Sequence, residues 1–144
     1  MLRAQTGPKR VVVVPPLVAV AVHDLAFGTV LPGIPVSVSV GDPMHSGQFE
    51  VTGPAAASIR VEFTLPGALT SGGGLLTVAF GSGDGYAAFT PLAQVFNPHA
   101  PLLGALGPSG QLFIRLGGTV YPGHAQTAGV YSATITMTVY DLGS

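Results

Sequence analysis

Cysteine and tryptophan are both missing from this 144-residue chain, and it has a single lysine, Lys9. Without cysteine there is no disulfide framework and no thiolate to serve as nucleophile or metal ligand. Charge is scarce too. Five Lys+Arg against six Asp+Glu leave a net charge of −1, and charged residues make up 8% of the chain, where a typical soluble domain has about 25%. Such a surface has no electrostatic footprint for nucleic acid or an anionic membrane, and it lacks the charge that ordinarily keeps copies of a protein apart. No apolar run reaches the roughly 18 residues needed to span a bilayer as a helix, so no membrane span is expected. Nor does any window repeat apolar residues at i, i+3, i+4 and i+7, the mark of an amphipathic helix.

Glycine (21) and proline (13), by contrast, make up close to a quarter of the chain, with no collagen-like period. In a polar, charged chain that would signal disorder. With 47% hydrophobic residues it indicates one packed domain with many turns.

Period-two alternation runs through most of the sequence. Val36, Val38 and Val40 alternate with serines, and Phe49 and Val51 flank Glu50. Ile59, Val61, Phe63 and Leu65 oppose Arg60, Glu62 and Thr64, while Leu76, Val78 and Phe80 form another inward set. Leu112, Ile114 and Leu116 alternate with Gln111, Phe113 and Arg115, and Gly117-Gly118 begins a turn into residues 119–121. Residues 130–140 read as the clearest strand, with Tyr131, Ala133, Ile135, Met137 and Val139 inward. Residues 86–108, with four prolines, are expected to be loops with one short strand. The result is an all-β, antiparallel β-sandwich of about seven to nine strands, without internal repeat.

The most apolar stretch lies near the N-terminus. Val11, Val12, Val13 and Val14 are separated from Leu17, Val18, Ala19, Val20, Ala21 and Val22 by Pro15-Pro16, which cannot both sit inside a strand or helix. Residues 1–8 are polar and expected to be flexible unless a partner orders them. A signal-peptide core is one reading of residues 11–22, but the proline pair interrupts it and no A-x-A-like site sits cleanly before Asp24. The favoured reading divides the stretch. Residues 1–14 form an extension reaching a neighbour, and residues 17–22 start a domain spanning residues 15–144.

Catalytic chemistry is hard to find. His23, His45, His99 and His124 show no metal-ligand spacing, so surface or hydrogen-bonding roles are expected. Asp42 and Asp84 sit singly in loops, too few carboxylates for calcium, and turn formation suits them better. The glycines at 81–85 lack the Lys and following helix of a phosphate loop, and no serine has a G-x-S-x-G context. The chain is expected to have no cofactor, no bound metal and no enzymatic activity. The outward aromatics Phe113, Tyr121 and Tyr140 suit a subunit contact, or stacking on sugars.

Four segments carry a family resemblance. Asp24-Leu25-Ala26-Phe27-Gly28 resembles the D-L-x-F-G signature of the spore-coat-U-like secreted proteins and the archaic chaperone–usher pilins, where it also follows a short apolar strand. Phe49-Glu50-Val51-Thr52-Gly53 resembles their F-x-V-T-G, and Leu116-Gly117-Gly118-Thr119-Val120 their G-G-x-L/V hairpin. The stretch from Gly129 through Tyr131 to Val139 and Tyr140 resembles their terminal G-x-Y-S-x-x-x-x-V-T-V-x-Y strand. The resemblance implies an immunoglobulin-like sandwich and secretion to the cell surface. For the pilin branch it also implies a homopolymer built by donor-strand exchange with a periplasmic chaperone and an outer-membrane usher. The disulfide usual in the pilins is absent here.

Two functions follow as expectations. In the first, the chain is a filament subunit whose N-terminal strand completes a neighbour's sandwich, with Val11, Val12, Val13, Val14, Leu17, Val18 and Val20 as donor residues. Burying five such side chains is worth on the order of 8–15 kcal/mol gross, against a similar cost for ordering some ten residues. In the second, the chain is a secreted sandwich module that binds carbohydrate or protein.

Overall fold

The computed structural model describes residues 2–6, 17–88 and 93–142. Among these residues the chain is all-β, without helix. Its strands are β1 (Leu2–Thr6), β2 (Val18–His23), β3 (Val36–Val38), β4 (Gly47–Thr52), β5 (Ser58–Thr64), β6 (Ala68–Ser71) and β7 (Gly74–Ala79). They continue with β8 (Gly85–Ala88), β9 (Ala93–Phe96), β10 (Leu102–Ala105), β11 (Gln111–Leu116), β12 (Gly118–Tyr121) and β13 (Ile135–Asp141). Three sheets form, ordered β1-β13-β5-β10, β2-β4-β11-β8-β9 and β3-β12-β7-β6. The pairings are antiparallel except that of β1 with β13, which is parallel. No helix among the described residues is long and apolar enough to cross a membrane.

β11 and β12, separated by Gly117 alone, act as a spine shared by two sheets. β4 and β8 flank β11, and β3 and β7 flank β12. At the level of Gly117 both flanking partners leave the ladder, through residues 39–46 on one side and 80–84 on the other. The glycine therefore does not begin a turn, as its sequence context predicts. It lets the chain pass from one sheet to the next, with its N–H donating to the Asp84 carbonyl at 2.9 Å.

The core lies where the inward faces of these strands meet. Phe49, Val51, Ile59, Val61, Leu112, Ile114, Leu116, Met137 and Val139 are each at most 1% exposed and belong to one apolar cluster. At roughly 1.5–3 kcal/mol per fully buried side chain, this alternation drives the strands together, and Phe113 lies on the outer face as its position predicts.

Three segments differ from expectation. Residues 86–108 contribute most of β8 together with β9 and β10, because Pro98, Pro101 and Pro108 fall outside the ladders. The last strand starts at Ile135 rather than Val130. Its alternation in burial continues back to Tyr131, but only the isolated Thr70–Ser132 bridge pairs that part. Finally, Leu2–Thr6, within the leader expected to be flexible, is a strand. The free edge of β13 supplies the partner that orders it, in the register Leu2↔Ile135 to Thr6↔Val139, and β1 also lies alongside β2.

Candidate functional site

Among the described residues, the space beyond the Leu2 end of β1, between the segments that follow β2 and precede β13, is open. Residues 24–30, continuing from β2, form one wall and residues 126–132, leading into β13, form the other. Between them lies a groove of about 690 Å³ floored by Leu69 and Leu76. Leu25 and Phe27 alternate with the exposed Asp24, Ala26 and Gly28 and pack inward against the core. A smaller cavity of about 20 Å³ lies beneath, lined by Leu25, Phe27, Leu69, Phe80, Ala133 and Ile135 among others, all apolar. A site of that size has room for about one water. Among the described residues the single charged side chain on the groove walls is that of Asp24.

Hydrogen bonds fix the walls. Gln126 Nε2 donates to the Leu75 carbonyl at 2.8 Å and to the Tyr131 hydroxyl at 3.0 Å, and that hydroxyl donates to the Thr127 carbonyl. Thr70 and Ser132 exchange backbone bonds at 2.9 and 3.0 Å, tying this wall to the β6–β7 hairpin. The far end closes where Gly33 N–H meets the Gly123 carbonyl at 3.0 Å. Gly33 takes a φ of +76°, and a Cβ there would lie 2.9 Å from His124 Nδ1.

The opposite wall is held by the 42–46 turn. Asp42 Oδ1 accepts the Met44 and His45 amides at 2.9 and 3.0 Å, and Oδ2 meets His45 Nδ1 at 2.9 Å. The amide of Met44 above all, with the His45 ring and amide behind it, holds the Asp42 carboxyl below its usual value, against the opposing effect of partial desolvation. The turn presents the His45 carbonyl to the Ala26 amide at 2.9 Å and the Ser46 carbonyl to His23 Nδ1 at 3.1 Å.

The structure thus gathers Asp24, Leu25, Phe27, Gly28, Gly129 and Tyr131 around one groove. Val139 is fully buried in β13. Tyr140 lies outside the groove, beneath the Arg60 guanidinium at 4.5 Å. Val11, Val12, Val13 and Val14 lie outside the described residues. Leu17 packs on the core, and its side chain is where a Cβ on Gly53 would come to 3.0 Å. Val18 and Val20 face outward at 40% and 48% exposure, leaving Ala19 and Ala21 to face in on a strand paired with β4 of its own chain.

The remaining polar candidates act locally. Asp84 Oδ2 caps the Gly81 amide at 2.6 Å, and His99 Nε2 bonds the Phe80 carbonyl at 2.7 Å. No three metal-ligating side chains converge among the described residues. Sequence reasoning missed Gln126 and the Asp42 turn as parts of the site, since Gln126 stands in no periodic pattern and its partner Leu75 is far off in the chain. No family model, curated protein or solved structure matches the chain.

Proposed function

We propose that the chain is the structural subunit of an extracellular filament, an immunoglobulin-like sandwich that polymerises by donor-strand exchange through its N-terminal extension. One observation carries this reading. The edge of β13 accepts an N-terminal strand, β1, and next to it the apolar groove between residues 24–30 and 126–132 stands open among the described residues. A sheet edge beside an apolar groove is the acceptor that strand addition needs, with backbone bonds supplying affinity and pockets supplying register. The low charge suits a chain meant to meet its own copies. On this reading the protein is secreted and non-catalytic, and a periplasmic chaperone and an outer-membrane usher are its assembly partners.

Size-exclusion chromatography and negative-stain microscopy of the full chain test the proposal. Filaments are expected, and their loss on deletion of residues 1–14. Normal growth of the truncated protein overturns N-terminal donation. A second reading, a secreted module binding carbohydrate or protein, draws on Phe113 and Tyr121, 47% and 50% exposed. A soluble, monodisperse full-length monomer would favour that reading and sink the first.

A further inference from the structure

We infer that Leu2–Thr6 is an intramolecular cap, which closes the acceptor edge of β13 in the free subunit and must leave before a second copy's valine segment can add. The inference rests on the filament reading and assigns its regulation. β1 pairs over residues 135–139, the same edge a neighbour's strand would use, and among the described residues the groove lined by residues 24–30 and 126–132 stays open beside it. Residues 7–16, ten in number, lie between β1 and Leu17 and include the four valines, so release of β1 from β13 frees the chain N-terminal to Leu17, Val11 to Val14 included, to enter another molecule.

The cap is built to be displaced. Its sequence, Leu-Arg-Ala-Gln-Thr, offers one large apolar side chain, whereas Val11, Val12, Val13 and Val14 are four consecutive β-branched residues of the kind enriched in strands. Its ladder is parallel, the slightly weaker pairing per residue. A short polar strand in cis thus protects an edge that would otherwise drive aggregation while yielding to a better strand in trans. With about nine tenths of subunits capped, the apparent rate of subunit addition falls about tenfold.

The absence of cysteine makes a direct test clean. In the variant Arg3→Cys with Thr136→Cys, which joins register partners, the oxidised protein is expected to crosslink within one chain and remain monomeric. Reductant should restore growth, with the reduced form serving as the folding control. Separately, deletion of residues 2–6, which keeps the valines, is expected to speed growth about tenfold. Failure of the crosslink to form, growth of the oxidised form at the reduced rate, or unchanged or slower growth of the deletion variant would each overturn the cap. If every form crosslinks or folds normally but none grows, even when reduced, it is the filament reading that fails, and the gate with it.

Discussion

Gly117 lies so close to Val38 that a Cβ on it would come within 2.3 Å of the Val38 carbonyl oxygen. The obstacle is backbone, which cannot rotate away as a side chain can, so the spine crosses between sheets only because residue 117 has no side chain. Gly117→Ala is expected to cost about 1–3 kcal/mol in urea unfolding. Gly67→Ala, where nothing lies within 4 Å, should stay within about 0.5 kcal/mol of the parent. Equal stabilities for the two variants would remove Gly117 from its structural role.

Tyr131→Phe tests the latch on the groove wall. The substitution keeps the ring but removes the hydroxyl that links Gln126 to the Thr127 carbonyl. A loss of about 0.5–1.5 kcal/mol is expected, together with faster amide exchange at Ser132, whose N–H bonds the Thr70 carbonyl at 3.0 Å. Unchanged exchange would mean that the wall stands without the hydroxyl.

The Asp42 turn sets an acid limit on the opposite wall. Because the folded state holds this carboxyl below its ordinary 3.8, the unfolded chain takes up the proton first as acid is added. The stabilisation is therefore fully present above the unfolded value and is lost as pH falls through the lower folded value. An NMR titration should find the Asp42 carboxyl below 3.8, with the Met44, His45 and Ala26 amides moving along with it. Asp42→Asn should abolish that coupled shift, and its survival would assign it to another group.

Val130 and Ile135 separate fold from groove. Val130 is 90% exposed at the groove, whereas Ile135 is 4% exposed in the core. Ile135→Ala should cost about 2–5 kcal/mol. Val130→Asp should leave stability within about 0.5 kcal/mol yet slow filament growth, since it sets a charge at the mouth of an apolar groove. Growth at the parental rate would show that the mouth is not used.

Much of the strand content was legible because burial on a sheet leaves a period-two trace in the sequence. The inward sets at Leu76, Val78 and Phe80 and at Ile135, Met137 and Val139 are buried as their alternation requires. Where the trace misled, pairing was the missing term. Tyr131 to Thr134 alternate like a strand but lack a continuous neighbour, while β8, β9 and β10 are too short for alternation to stand out among prolines. In β2 the alternation holds while the valines face outward, because the inward side takes the small alanines. Asp24, Leu25, Phe27, Gly28, Gly129 and Tyr131 were named as motif residues, but nothing local told that the two motifs face each other.

The sequence by itself determined that the chain is all-β, which residues point inward, that no thiol enters its chemistry, and that no apolar run reaches the roughly 18 residues of a helical membrane span, since these depend on residue type and local period. Only the tertiary structure decided that Gly117 is a crossing rather than a turn, that residues 24–30 and 126–132 wall one groove, and that Leu2–Thr6 pairs with β13. Each of those is a contact between segments distant in the chain, chosen by which edges and faces remain unpaired once the core has closed, and no local pattern records that choice.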